Sequence, residues 1–206
     1  MIQTQSLNDI PMRDRRMTPS AWVVAYSQQI PSGGRVLDLA CGKGRHACWL
    51  AEQGFHVLAV DSDSEAICEL DGFKNIEARC IDLEFGPWLL GHGCFDGIVV
   101  TNYLHRPVLD KLYAGLSPGG ILIYETFMRG NELLGRPSRS EFLLEPNELH
   151  AWAMQHGLEI IAFEESKIQA PRRAVVQRLC ARRRATDSAG WLESEAAGIS
   201  LAAGSE

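Results

Sequence analysis

The 206-residue sequence lacks long hydrophobic runs: its longest are about six residues, far short of the twenty or so that cross a bilayer. The opening stretch MIQTQSLNDIPMRDRRM carries no apolar core followed by a small-residue cleavage site, so no signal peptide is expected and a cytoplasmic location is. Cysteine pairing is missing as well. Cys41, Cys48, Cys68, Cys80, Cys94 and Cys180 are scattered, with no C-x-x-C and no Cys/His cluster at zinc spacing, so reduced thiols and no metal are expected. Positive charge is not in excess: 20 basic against 26 acidic residues give a net charge of −6, which argues against a broad phosphate-binding face. The local clusters Arg13, Arg15, Arg16 and Arg172, Arg173, Arg182 to Arg184 read as solvated faces, and no nucleic-acid partner or membrane is expected. There is no internal repeat.

Two phosphate-binding signatures are also absent. After the first apolar run the chain reads ACGKGRH, without the third glycine of G-x-G-x-x-G. Lys43 follows Gly42 without the rest of G-x-x-x-x-G-K-[ST].

What is present is a regular alternation. Thr18-Pro19-Ser20 opens a helix over SAWVVAYSQQI, ended by Pro31-Ser32-Gly33-Gly34. The short apolar runs RVLDLA, FHVLAVD, IEARCIDLE, CFDGIVVTN and ILIYETF read as strands buried on both faces. Helical stretches lie between them at Gly44 to Glu52, SDSEAICEL and PVLDKLYAGL, and a capped helix follows in EPNELHAWAMQHG. LEIIAFEE and RAVVQRLCARR read as a final antiparallel pair. The polar, aperiodic MRGNELLGRPSRSEF is expected to be a functional loop. One α/β domain over residues 1–184 is expected, with a doubly wound, mostly parallel sheet, an N-terminal helical lid over 1–34 and a disordered tail over 185–206.

Ligands of such sheets sit at the carboxyl ends of the strands. Asp38, Asp61, Asp82, Asn102 and Glu125 each fall at or just past a strand's predicted carboxyl end, which a ligand explains better than five separate helix caps. Asp38 stands just before the glycine loop, where it would repel a pyrophosphate and suits an ammonium or sulfonium. Asp61, at the end of the next strand, is placed to accept from both hydroxyls of a ribose. Asp82 is placed to accept from an exocyclic amine such as adenine's. An amino acid, a ribose and an adenine without phosphates describe S-adenosylmethionine.

VLDLACGKGRHA, VLAVD, CIDLE, FDGIVVTNYLH and LSPGGILIYETF, in this order and spacing, resemble the successive motifs of class I S-adenosylmethionine-dependent methyltransferases over roughly residues 35–181. Within that superfamily the chain is similar to small, single-domain, tellurite-resistance-type enzymes. The resemblance implies a Rossmann-like, seven-stranded sheet with an antiparallel C-terminal hairpin. It implies transfer of the methyl group of S-adenosylmethionine to a small-molecule acceptor by in-line displacement, leaving S-adenosylhomocysteine. It places Asp38, Ala40, Gly42 and Gly44 along the methionine part, with Cys41 among them. Asp61 would hold the ribose with Ser62 beside it, Asp82 and the backbone of Leu83 the adenine, and Thr101 and Asn102 the methionine side. The first loop position is Ala40, where glycine is common. Two other readings stay open: an NAD-dependent oxidoreductase, against which the broken glycine pattern and Asp38 argue, and a non-catalytic S-adenosylmethionine-binding protein.

The acceptor is not legible. NYLHRP sits where it should arrive, and it lacks both prolines of the N-P-P-Y signature of enzymes that methylate exocyclic amines of nucleic acids or glutamine. Tyr103 and His105 are the candidate catalytic residues; an imidazole in general can take a proton near neutral pH. Against this, Tyr103 can be packing and His105 a helix-start residue. Arg129 and Arg136 either meet an anionic substrate or are solvated, Glu125 can be a simple strand-end acceptor, and Trp22 either lids the site or sits in the core.

Overall fold

The computed structural model describes residues 18–85, 87–170 and 172–185. Ser20 accepts the Trp22 backbone N–H on its Oγ at 3.1 Å and so starts α1, Ala21–Tyr26, which tightens into a 3-10 turn at Ser27–Gln29. The alternation then runs β1 Arg35–Leu39, α2 Arg45–Glu52, β2 His56–Asp61, α3 Ser64–Cys68 and β3 Ile76–Cys80. It continues with β4 Phe95–Thr101, α4 Arg106–Gly115, β5 Leu116–Phe127, α5 Glu148–Gln155, β6 Glu159–Ile168 and β7 Ala174–Arg182.

The seven strands form one sheet in the order β3-β2-β1-β4-β5-β7-β6. β1 to β5 pair in parallel, and β7 inserts antiparallel between β5 and β6. The expected C-terminal hairpin is therefore present, with its second strand on the inside. The order reverses between β1 and β4, which opens a crevice at their carboxyl ends.

The period of two along each strand divides the apolar residues between two layers. Leu37, Leu39, Val60, Ile98 and Val100 pack with Leu109 and Leu112 of α4 and with Leu149 and Trp152 of α5. Val36, Val57, Ala59, Val99 and Ile123 pack with Trp22 and Val23 of α1, Ala47 and Leu50 of α2 and Ile67 of α3. Every strand from β1 to β5 except the half-exposed β3 is thus covered on both sides, which is why its sequence shows no polar alternation.

Two expectations need correction. β5 starts at Leu116, earlier than expected, because the SPGG run is itself paired: Gly119 N–H donates to Arg183 O and Arg183 N–H to Gly120 O, both at 2.8 Å. β3 ends at Cys80, so Asp82 lies two residues beyond it. The aperiodic stretch after β5 is ordered by short 3-10 turns at Asn131–Leu133 and Ser140–Phe142. Buried Asn131 pins it, donating to Pro137 O at 2.9 Å and accepting the Val175 N–H at 3.2 Å. The expected disordered tail beyond residue 185 and residues 1–17 of the expected lid lie outside the described residues. Among the described residues no helix is long and apolar enough to cross a membrane.

Candidate active site

The loop between β1 and α2 carries most of the unusual backbone. Ala40, Gly42 and Gly44 all have positive φ, at 55°, 53° and 73°. A Cβ on Gly44 would strike the Leu70 side chain, so that glycine serves packing. A Cβ on Gly42 would meet nothing within 4 Å, so its bare backbone faces open space. Ala40 adopts the left-handed conformation with a side chain present, which costs an L-residue about 1–2 kcal/mol. The loop is held across the crevice by Asp61, whose Oδ2 accepts the Gly42 N–H at 2.7 Å and whose Oδ1 accepts the Asp63 N–H at 3.0 Å. Each of those oxygens has a second lone pair to offer.

Asp38 lies beneath this loop, 1% exposed, and its Oδ2 has no hydrogen-bond partner. Burial pushes its carboxyl up to about 7. The Ala47 N–H and the Arg45 guanidinium pull it down, and Asp61 pushes it up. Cys41, in the loop itself, is buried, and burial followed by the charges of Asp38 and Asp61 drives its thiol well above the usual range. It is a packing thiol here, not a nucleophile.

The five polar strand-end residues do not all reach the tip. Asp61 closes β2, Asn102 follows β4 at a φ of 56°, and Asp82 is exposed, turning on itself to accept the N–H groups of Glu84 at 2.9 Å and Phe85 at 3.3 Å. Ser62 is exposed beside Asp61 and Leu83 half-buried beside Asp82. Asp38 and Glu125 instead lie within their strands, covered by helices.

Glu125 belongs to a polar row across four strands, buried at Thr101 and Glu125 and opening to solvent at Glu164. Thr101, Glu125, Arg178 and Glu164 are register neighbours on β4, β5, β7 and β6. Arg178 Nε donates to Glu125 Oε2 at 2.6 Å and its Nη1 to Glu164 Oε1 at 3.1 Å. The Trp22 ring lies 5.7 Å from the Arg178 guanidinium, and its Nε1 donates to Leu179 O at 3.3 Å. Trp22 is therefore a core residue that also covers the ion pair. Arg45 feels both Glu125 and Asp38, although burial lowers its pKa overall. His46 is 1% exposed and bridges two elements, accepting the Ser20 N–H on Nε2 at 3.1 Å and meeting Thr101 Oγ1 through Nδ1 at 3.3 Å. Sequence reasoning missed His46, Arg45, Glu164 and Arg178. Only the run of charges in RAVVQRLCARR, odd for a buried strand, could have marked the last of these.

On the β4 side, Tyr103 is half-buried and its hydroxyl is enclosed without a partner. Burial raises its pKa, and the charges of Glu84, Asp82 and Asp61 raise it further. Its backbone carbonyl accepts the Tyr124 hydroxyl at 2.9 Å. His105 is the half-buried N-cap residue of α4, and its side chain makes no capping bond. Arg106 grips the loop after β5 with a bidentate pair to Glu148 at 2.6 and 2.9 Å and bonds at 3.0 Å to the carbonyls of Glu141 and Leu143. Arg129 pairs with Glu145 at 2.9 Å, and Arg136 is exposed. A groove of about 610 Å³ runs between these pairs and the start of α5, but it is separate from Asp38 and both its arginines are engaged by carboxylates. It is not an anion site.

The residues at the carboxyl ends of β1 and β2 fit a ligand that brings a cation to Asp38 and hydroxyls to Asp61. The unpartnered, buried Oδ2 and the open space over Gly42 carry that fit. A family model described as a methyltransferase domain matches residues 12–182. The ubiquinone biosynthesis O-methyltransferase of Xylella fastidiosa is 32% identical over 162 residues, covering 65% of each chain. TehB from Haemophilus influenzae superposes with a TM-score of 0.67 at 20% identity, covering 81% of this chain and 63% of its own. A Burkholderia thailandensis 1,6-didemethyltoxoflavin-N1-methyltransferase with bound 1,6-didemethyltoxoflavin and S-adenosylhomocysteine superposes with a TM-score of 0.61 at 17% identity, over 84% of this chain and 80% of its own. At such identities the structural likenesses show the fold alone. The chain spans about half the length of most of the curated relatives it matches. With the family model covering most of the sequence, from before α1 to the end of β7, the chain belongs to the methyltransferase-domain family of the S-adenosylmethionine-dependent class.

Proposed function

We propose that this chain binds S-adenosylmethionine at the carboxyl ends of β1 to β4 and directs its methyl group, by in-line displacement, to a small-molecule acceptor arriving over Tyr103 and His105. The observation that carries the reading is the Asp38 carboxylate, buried beside a glycine loop with one oxygen unpartnered. A buried acid left in that state is costly unless a cation completes it. When bound, S-adenosylmethionine supplies an activated methyl carbon on a positively charged sulfur. The protein's part is then mostly orientation and exclusion of water.

Asp38 receives the ammonium of the amino-acid end, and the backbone of Ala40, Cys41 and Gly42 lets that end lie close, with Gly44 setting the loop against Leu70. Asp61, already fixed by Gly42 and Asp63, offers its remaining lone pairs to the ribose, with Ser62 beside it. Asp82 and the backbone of Leu83 border the adenine, and Thr101 and Asn102 the methionine side. The Tyr103 hydroxyl, enclosed and unpartnered, is an acceptor contact, and His105 removes a proton when the acceptor is a hydroxyl or amine. The relatives named for ubiquinone biosynthesis and for a toxoflavin precursor support a small molecule as acceptor.

Uptake of labelled methyl from S-adenosylmethionine, screened over thiols, oxyanions, amines, hydroxyls and carboxylates, tests this. Labelling of one class by the wild-type chain is expected, reduced in Asp38→Asn when the cofactor is below saturation. Cofactor binding without labelling of any class would favour a non-catalytic binding protein.

A further inference from the structure

We propose that His46 is a positioning residue that commits the Thr101 hydroxyl to donate toward the carboxylate of the cofactor's amino-acid end, while anchoring the start of α1 to α2. The inference rests on reading the β1–β4 edge as the S-adenosylmethionine site and goes beyond it by assigning a residue and a proton.

The proton can be placed from the partners alone. A backbone N–H only donates, so the Ser20 N–H at 3.1 Å requires a bare lone pair on His46 Nε2. The neutral ring then carries its hydrogen on Nδ1, which donates to Thr101 Oγ1 at 3.3 Å. Deep burial, with Arg45 adding to it, holds the imidazole pKa near 3, so this tautomer persists across the physiological range. A hydroxyl has one hydrogen and two lone pairs. With one lone pair taken by His46, the hydrogen of Thr101 is left to give. Thr101 keeps one lone pair as well, but the ammonium is taken by Asp38, so the partner left for Thr101 is the carboxylate, which can only accept. His46 also sits in the first turn of α2, directly after the glycine loop, so the same ring ties the loop, the tip of β4 and the entry of α1 into one unit.

The two ring nitrogens can be separated by substitution. His46→Asn keeps a donor near the Nδ1 position and loses the Ser20 acceptor; His46→Gln keeps an acceptor near Nε2 and loses the donor to Thr101. The probes are S-adenosylhomocysteine and 5′-methylthioadenosine, which lacks the amino-acid end, titrated by calorimetry into the full chain with melting temperatures recorded. We expect His46→Gln and Thr101→Val each to weaken S-adenosylhomocysteine about tenfold and to leave 5′-methylthioadenosine unchanged. The double variant should be no worse than either single one. His46→Asn should weaken S-adenosylhomocysteine less than His46→Gln does while melting lower than the wild type. Equal loss on both probes, additive effects of the two substitutions, or an unaffected His46→Gln would overturn the assignment. Should His46→Gln fail to fold, Thr101→Val alone decides between the two probes. Binding of neither probe by the wild-type chain would overturn the cofactor reading and this inference with it, an outcome distinct from loss confined to the variants.

Discussion

Along one carboxyl edge, the stretch from Asp38 to Asp61 and the stretch from Thr101 to Glu148 are held by different kinds of contact. The first is built from strained or trimmed backbone, a buried acid with a vacant oxygen, and a second acid whose bonds all go to main-chain N–H groups. The second is closed by side chains: Arg106 on Glu148, Arg129 on Glu145, and buried Gln177 accepting the Leu149 backbone N–H at 2.7 Å and donating to the Glu145 backbone carbonyl at 3.1 Å. A cofactor common to a whole family calls for backbone geometry, which tolerates few alternatives. An acceptor that differs between enzymes calls for loops that can be re-pinned by exchanging side chains.

The sharpest way to separate the two regions is His105→Ala. With a hydroxyl or amine acceptor, turnover should fall roughly 10²–10⁴-fold while S-adenosylhomocysteine affinity stays within twofold. A thiolate or metalloid acceptor needs no base, and turnover would then barely change. Steady-state kinetics with calorimetry on the same variant reads both. Loss of cofactor affinity instead of turnover would move His105 to the other side of the transferred methyl.

Asp38→Asn acts on the cofactor region in two opposed directions. It removes a charge-assisted contact, so S-adenosylhomocysteine affinity should fall by about 10- to 100-fold. The apo protein should become more stable at pH 8. The folded carboxyl is raised from 3.8 to about 7, so the stability it contributes is complete below pH 3.8 and is lost as pH rises through 7. Melting of wild type and variant should therefore agree near pH 4 and diverge above it. By pH 8 the variant should be ahead by at most about 4 kcal/mol. Arg45, Asp61, Cys41 and the Ala47 N–H face this carboxyl, and none of them is exchanged. For the same reason wild-type affinity for a ligand bearing an ammonium should weaken as pH falls below 7.

Asp61→Ala should cost at least about tenfold in affinity, since up to two charge-assisted bonds of roughly 1.5–3 kcal/mol each are lost and water replaces part of them. The substitution also frees the Gly42 and Asp63 N–H groups, so it loosens the loop as well. Arg106→Ala should do the reverse on the acceptor side, raising KM for the acceptor severalfold with cofactor affinity unchanged. The smallest effect belongs to Ala40→Gly. Relief of the left-handed strain is offset by the added freedom of glycine in the unfolded chain, leaving a gain of about 1 kcal/mol or less in denaturant unfolding.

What could be read from the sequence follows the same division. The strand–helix alternation, the glycine loop and Asp61 are local: each is a run of neighbours whose chemistry fits one conformation. Glu125, by contrast, reads in the sequence as one of five ligand-facing polar residues or as a simple strand-end acceptor, and only the placing of β7 beside β5 sets Arg178 opposite it. Nothing in its own stretch marks His46, because its partners Ser20 and Thr101 are 26 and 55 residues away in the chain. The loop after β5 shows no period because its order comes from Asn131, Gln177 and Arg106, which bond the Val175 N–H, the Leu149 N–H and the Glu141 carbonyl, 44, 28 and 35 residues away. Pairings of this range leave no periodic trace.

Calorimetric titration of the wild-type chain at pH 8 with S-adenosylhomocysteine, and separately with NAD, bears most directly on the site at the carboxyl ends of β1 and β2. The buried cation partner at Asp38 and the phosphate-repelling start of the loop predict saturable one-to-one binding of S-adenosylhomocysteine, weakened in Asp38→Asn, and no heat from NAD. Binding of NAD with none of S-adenosylhomocysteine would contradict it.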